Sequence, residues 1–161
     1  MTFSPLEIAT AYHEAGHAVI ALALGRPVHR ISVQANHLRL GRCELKKGSG
    51  RAAKDAVETE ILILLGGLAA ESRQTGQYAR GAAAQDLRGV RLLIQNRATS
   101  PRQAERLERR LLDKAEHILD QPGVWLAVER IAEELLGSTT ISGRAARHWF
   151  EQAAAQAESD R

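Results

Sequence analysis

PLEIATAYHEAGHAVIALAL, residues 5–24, is a run of small and apolar residues with two histidines near its middle. Ser4 precedes the run, Pro5 opens it and Glu7 follows, an arrangement typical of a helix N-terminus with a capping box. Gly25 follows the last apolar turn, as expected at a helix C-terminus. The pattern predicts one helix over residues 5–24.

The composition favours a single helical domain over residues 1–161. Hydrophobic residues make up 44% of the chain and charged residues 25%, whereas aromatic residues make up only 4%, which favours packed helices over a β-sandwich. Cys43 is the only cysteine, so no intrachain disulfide forms, and we expect a small half-buried strand residue there. No signal peptide and no apolar run of membrane-spanning length occurs, and we expect a cytoplasmic protein without membrane insertion.

Short alternating stretches at 29–35 and 38–45 predict a β-hairpin or two edge strands, joined by Asn36-His37. The remaining chain predicts helices, and the fold class is therefore mainly α, with a small β element. Helices are expected over 52–73, around QDLRGVRLLIQN (85–96), and from a second capping box at Ser100 to about 121–123. One more helix follows and ends at Gly137, and the last begins after TTISG (139–143). The Gly66-Gly67 pair within the first of them predicts close approach of another element.

The chemistry of the chain is concentrated in His13-Glu14-Ala15-Gly16-His17, the pattern H-E-x-x-H. Residues four apart lie on one face of a helix, so both imidazoles can point at one metal ion while Glu14 lies beside them. Zinc takes three protein ligands in catalytic sites and leaves one position for water, whose proton the glutamate accepts. The competing interpretation is a pair of core or surface histidines that share a helix face.

The third ligand lies elsewhere in the chain, and Glu71 is a candidate for it on residue type alone. Glu71 ends the apolar helix and can either bind the metal or orient a ligating histidine. The other histidines have no spacing that recommends them as ligands: His29, His37, His117 and His148.

Four segments in order resemble the FtsH-type peptidases, the proteolytic domain of membrane-anchored AAA proteases. AYHEAGHAVIALAL resembles that family's zinc-binding helix, ILLGGLAAES is similar to its LLGGRAAEE segment, GAAAQDLRGVRLL to its GASNDLERAT segment, and TTISG to its ETLDG. The resemblance implies a zincin-like helical peptidase domain. It implies that Zn²⁺ is held by His13, His17 and Asp86, and that Glu14 is the catalytic base, with Glu71 in a supporting position. Asp86 also lies near the start of a predicted helix, where the positive end of the macrodipole favours a carboxylate.

These observations predict an ATP-independent zinc metalloendopeptidase, because the chain has no P-loop GxxxxGK[ST]. Its substrates are expected to be peptides or unfolded proteins that pair with an edge strand, either 29–35 or 38–45. The alternative is a non-catalytic zinc-binding module that docks on a partner protein or a separate ATPase. A homo-oligomer is compatible with both, since the family's peptidase domains form rings.

A nucleic-acid partner is not expected. The net charge is +3, and the densest basic segment, PRQAERLERR (101–110), interleaves acidic residues with its arginines. That pattern is typical of a solvated helix face, and no DNA- or RNA-binding motif accompanies it.

Overall fold

Helix α1 (Pro5–Ala23) is the centre of the fold in the computed structural model, which describes residues 2–34, 42–45, 53–81 and 83–161. The Ser4 side chain accepts the Glu7 N–H, and the Glu7 carboxylate accepts the Ser4 N–H at 2.7 Å, so the predicted capping box is confirmed. Gly25 then takes a φ of +78°, and the N–H groups of Gly25 and Arg26 bond back into the last turn, which ends the helix.

Five further helices and three short strands follow along the described chain. Four of these helices pack against α1, whereas the third helix along the chain packs against the second and the fourth, and most residues of α1 between positions 9 and 21 are buried. The predicted fold class, mainly α with a small β element, is confirmed. The elements are β1 (Val28–Ser32), β2 (Arg42–Leu45), α2 (Ala53–Thr75), α3 (Ala84–Gln95), α4 (Pro101–Leu119), α5 (Pro122–Ser138), β3 (Thr140–Ser142) and α6 (Gly143–Ser159).

Helices α1 and α2 cross with their backbones almost in contact, at Gly16 and Gly66. A Cβ atom on Gly16 would lie 2.3 Å from the Gly66 carbonyl oxygen, and one on Gly66 would lie 2.9 Å from the Gly16 oxygen. Neither position therefore tolerates a side chain without separating the helices. The predicted close approach at the glycine pair is confirmed, and the approaching element is α1.

The sheet corrects two expectations. Its strand order among the described residues is β2-β1-β3, with both pairings antiparallel, so the strand predicted at 29–35 is central and offers no free edge. The segment TTISG does more than precede the last helix, because Thr140–Ser142 pairs with β1 as a third strand. Sequence alternation over three residues is too short to show this.

The ends of the predicted strands lie partly outside the described residues. The Asn36-His37 connection and the turn at 46–51 are not described, and Cys43 lies on β2 opposite Ile31 with only its backbone described. The second capping box is only half formed. Ser100 accepts the Gln103 N–H, but the Gln103 side chain accepts the N–H and hydroxyl of Thr99 instead of the Ser100 N–H.

Candidate metal centre

Helix α1 presents His13, Glu14 and His17 on one buried face, as the i, i+4 spacing predicts. Their exposed fractions are 8%, 4% and 6%. The two imidazole rings stand nearly perpendicular, with centroids 4.7 Å apart. The candidate ligand atoms of the three residues all lie within 4.8 Å of one another, close enough to serve a single ion.

Asp86 reaches the same point from the first turn of α3. Its Oδ2 atom lies 2.9 Å from Nε2 of His13 and 3.1 Å from Nε2 of His17, although 73 and 69 positions separate it from these histidines along the chain. Ala83, the N-cap residue of α3, makes no side-chain hydrogen bond to the first turn of the helix. The carboxylate of Asp86 is therefore the negative group at this helix N-terminus. The structure thus brings Asp86 together with both histidines.

The other ring nitrogens are held by α2. Nδ1 of His13 lies 2.8 Å from Oε2 of Glu71, and Nδ1 of His17 lies 2.7 Å from the backbone oxygen of Ile63. A carboxylate oxygen and a backbone oxygen are acceptors, so each Nδ1 donates its N–H, and each Nε2 is the ring nitrogen that can bind a metal once it carries no proton. Glu71 contacts His13 on the side away from Asp86, which is where a positioning carboxylate belongs.

The electrostatics of the cluster favour a positive charge between the carboxylates. Burial lowers the pKa of His13, but hydrogen bonds to Asp86 and Glu71 outweigh it and raise this pKa to about 10. Burial likewise opposes protonation of His17, yet the charge of Asp86 raises its pKa. Burial raises the pKa of the Asp86 carboxyl. The two imidazoles outweigh this effect and hold that pKa well below the usual range.

The residues present fit a zinc ion. Two imidazole nitrogens and one carboxylate oxygen are the donor set of open catalytic zinc sites. Tetrahedral zinc with bonds of about 2.0–2.1 Å separates its ligand atoms by roughly 3.3 Å, close to the 2.9 and 3.1 Å between Oδ2 and the two Nε2 atoms. The Nδ1–H donors, each held by an acceptor on α2, also match the usual support of a metal-binding histidine.

Sequence reasoning singled out most groups in this cluster and missed two. The Ile63 oxygen is a backbone atom, which no residue type signals. The glycine pair predicts a close approach of another element, but it does not show that Gly67 lies against the imidazoles. Among the residues described, His29, His117 and His148 take no part in the cluster, and His37 lies outside them.

The fold and this site define a zinc metallopeptidase domain of the H-E-x-x-H type, and the predicted class and cofactor are confirmed. Residues 6–117 match the model of Peptidase family M41. Because the match covers more than half of the chain, this chain belongs to that family. The predicted resemblance to the FtsH-type peptidases is confirmed as well, while the roles of individual residues remain predictions.

The relatives are much longer proteins. The chain is 39% identical over 77 residues to the ATP-dependent zinc metalloprotease FtsH 1 of Sorangium cellulosum, covering 45% of this chain and 12% of the relative. It is 40% identical over 77 residues to FtsH of Magnetococcus marinus, covering 45% and 11%. With FtsH of Acidimicrobium ferrooxidans it shares 29% over 143 residues, 85% of this chain and 20% of that protein. The chain thus spans about a fifth or less of their length.

Two further features bear on the predicted partners. Across the described residues, no helix combines the length and apolarity needed to cross a bilayer. The arginines of 101–110 lie on the exposed face of α4, as expected of a solvated helix face.

Proposed function

We propose that this chain is an ATP-independent zinc metalloendopeptidase that hydrolyses peptide bonds in unfolded proteins or peptides. The observation that carries the proposal is the convergence of His13 Nε2 and His17 Nε2 on Asp86 Oδ2, at 2.9 and 3.1 Å, with Glu14 beside them. Histidine pairs that merely share a helix face have no reason to meet, through their Nε2 atoms, a part-buried carboxylate that lies 69 and 73 positions away along the chain. The arrangement therefore favours a metal centre over a packing cluster.

In the proposed site, His13, His17 and Asp86 hold the metal, and Glu71 orients His13 through its Nδ1–H. A bound zinc ion supplies Lewis acidity, which polarises a carbonyl group and brings the pKa of water towards about 7. Each histidine is restrained by a hydrogen bond at Nδ1, so its Nε2 atom needs no reorganisation to meet the ion. The two hydrogen bonds thus preorganise both ligands.

Glu14 is the proposed general base and acid. Its carboxylate lies within 4.8 Å of the histidine ligand atoms and the residue is 4% exposed, so bulk water hardly reaches it. It accepts the proton of the attacking water and then delivers it to the nitrogen of the leaving amine. A glutamine at this position would keep the shape of the side chain but could not accept that proton, so an isosteric substitution separates the chemistry from metal binding.

The sheet supports a preference for extended substrates. Strand β1 is central and β2 lies at an edge of the described sheet, so of the two strands predicted to receive a peptide only β2 (Arg42–Leu45) remains. An edge strand recognises backbone groups of an extended segment, which folded proteins rarely offer. Unfolded proteins and peptides are therefore the proposed substrate class.

The proposal treats residues 1–161 as one peptidase domain that acts without ATP. Residues 1–161 contain no P-loop, and the curated relatives are named ATP-dependent, so an assay with and without ATP tests this part of the proposal. A cytoplasmic location also remains a prediction.

The test compares Glu14→Gln with the wild type on an unstructured protein such as casein, with and without ATP. General-base catalysis contributes about 10²–10⁴-fold, so the variant should lose cleavage by at least about 100-fold while keeping its zinc. Wild-type cleavage should not respond to ATP. Equal cleavage by the variant would refute the role of Glu14. An inactive wild type with full zinc occupancy would instead favour the non-catalytic module.

A further inference from the structure

One face of α2 supports both histidines of the candidate metal centre. Ile63, Gly67 and Glu71 are spaced four apart, so they form a single row along the helix. The oxygen of Ile63 accepts the Nδ1–H of His17 at 2.7 Å, and Glu71 accepts that of His13 at 2.8 Å. Gly67 lies between these two acceptors.

Gly67 faces the imidazole rings themselves. A Cβ atom built on it would lie 2.6 Å from Cε1 and Nε2 of His17 and 2.7 Å from Nε2 of His13, distances that real Cβ contacts essentially never show. The rings cannot easily swing aside, because each is anchored at Nδ1 by a residue one turn away on α2. Any side chain at position 67 therefore competes with the histidines for the same space.

The adjacent Gly66 has a different environment. Its own Cβ would meet Ile20 Cγ1 at 2.7 Å and the Gly16 oxygen at 2.9 Å, both parts of ordinary helix packing. The three nearest atoms to a Cβ on Gly67, by contrast, all belong to the two histidine rings. The two glycines thus have separate roles: Gly66 lets the helices cross, and Gly67 accommodates the imidazoles.

Gly67 also bears on the acceptor of His17. Within an α-helix the oxygen of Ile63 accepts the N–H of the residue four positions on, which is Gly67, and only its second lone pair remains for another donor. Because residue 67 has no side chain, the His17 ring can approach that oxygen from the side of α1. The carbonyl is therefore available to a histidine even though it lies inside a helix.

We propose that Gly67 is a positioning residue of the metal centre: its missing side chain lets α2 hold both imidazoles through their Nδ1–H donors, with both Nε2 atoms directed at Asp86. The inference rests on the proposed function in taking these Nε2 atoms as zinc ligands. It adds that a residue with no donor atom determines whether the two ligands can share one ion.

The first experiment measures the zinc dissociation constant of Gly67→Ala by competition with a chromophoric chelator, and records the visible spectrum of the Co²⁺-loaded protein. Loss of support behind a metal ligand commonly weakens metal binding about 10–100-fold, so at least tenfold weaker zinc and an altered Co²⁺ spectrum are expected. Gly137→Ala is the matched control, since Gly137 is also helical and a Cβ there meets nothing within 4 Å. Wild-type zinc affinity in Gly67→Ala would overturn the inference and leave the proposed function intact.

The second experiment needs no metal. The thermal midpoint of metal-free protein is measured for Gly67→Ala in the wild type and in a His13→Ala/His17→Ala background. The substitution should lower the midpoint in the wild type and raise it where the imidazoles are gone, because alanine is the better helix former. An unfolded Gly67→Ala whose triple variant folds would support the same conclusion.

Equal shifts in both backgrounds, or a failure to fold in both, would show that Gly67 serves helix packing alone and would overturn the proposal. A wild type that binds no zinc would contradict the proposed function. The shift between backgrounds would still test Gly67, so the two failures are distinguishable.

Discussion

Replacing Glu71 and Asp86 separately by alanine tests which carboxylate binds the metal and which one orients a ligand. Asp86 Oδ2 meets the Nε2 atoms of both His13 and His17, whereas Glu71 meets only Nδ1 of His13. The two variants should therefore differ in kind. In the proposed site, Asp86→Ala removes one of three ligands, and Glu71→Ala removes a support behind a ligand.

The magnitude for Glu71 follows from its hydrogen bond. The 2.8 Å contact joins side chains that are 7% and 11% exposed, so solvent screens it little. A hydrogen bond to a charged group contributes about 1.5–3 kcal/mol, and each 1.4 kcal/mol changes a dissociation constant about tenfold. Glu71→Ala should weaken zinc binding about 10- to 150-fold yet still reach full occupancy at high zinc. Asp86→Ala leaves only two protein ligands, fewer than catalytic zinc sites use. The zinc content of this variant should therefore fall well below one ion per chain.

The assay is elemental analysis after dialysis, followed by titration against a competing chelator, with circular dichroism to show that both variants fold. Glu71→Gln serves as a control, because it keeps the acceptor oxygen without the charge and should cost less affinity than alanine. The reasoning would be refuted by the reverse order, with zinc lost from the Glu71 variant and retained at wild-type affinity by the Asp86 variant.

Two further predictions concern packing and pH. Gly16→Ala would place a Cβ 2.3 Å from the backbone oxygen of Gly66. We therefore expect the free energy of unfolding to fall by about 1–3 kcal/mol and the thermal midpoint to fall by about 2–4 °C for each kcal/mol. An unchanged midpoint would contradict the close crossing of α1 and α2 at these glycines. The pKa of His13 in the metal-free protein is raised to about 10, so it is protonated at pH 7 and zinc must displace that proton. Zinc affinity should therefore rise about tenfold per pH unit from 7 to 9, and a calorimetric binding heat that does not depend on the buffer's ionisation enthalpy would rule this out.

The helical part of the fold was predictable because its signals are local. Capping residues, the glycine after the last turn and the 3.6-residue apolar period all act within about four residues. The sheet was less predictable, since strand order depends on which segments meet in space. Sequence alternation therefore suggested the strand at 29–35 but could not show that β3 covers its other edge.

The candidate site divides in the same way. The spacing of His13, Glu14 and His17 is a property of one helical turn, so it follows directly from the sequence. The choice between Asp86 and Glu71 does not, because both are carboxylates at plausible positions on helices. Family resemblance favoured Asp86, and the structure adds the geometric distinction between a contact to Nε2 and a contact to Nδ1.

Helix α1, its two ends and the pattern H-E-x-x-H follow from local sequence, since a helix places residues i and i+4 together whatever surrounds it. The groups that surround this pattern depend on how the helices pack. Two glycines allow α2 to approach α1, Glu71 and Ile63 then reach the Nδ1 atoms, and Asp86 arrives from the start of α3. These contacts join residues 46 to 73 positions apart, and such distances along the chain are set by packing of helices rather than by the conformation of any one of them.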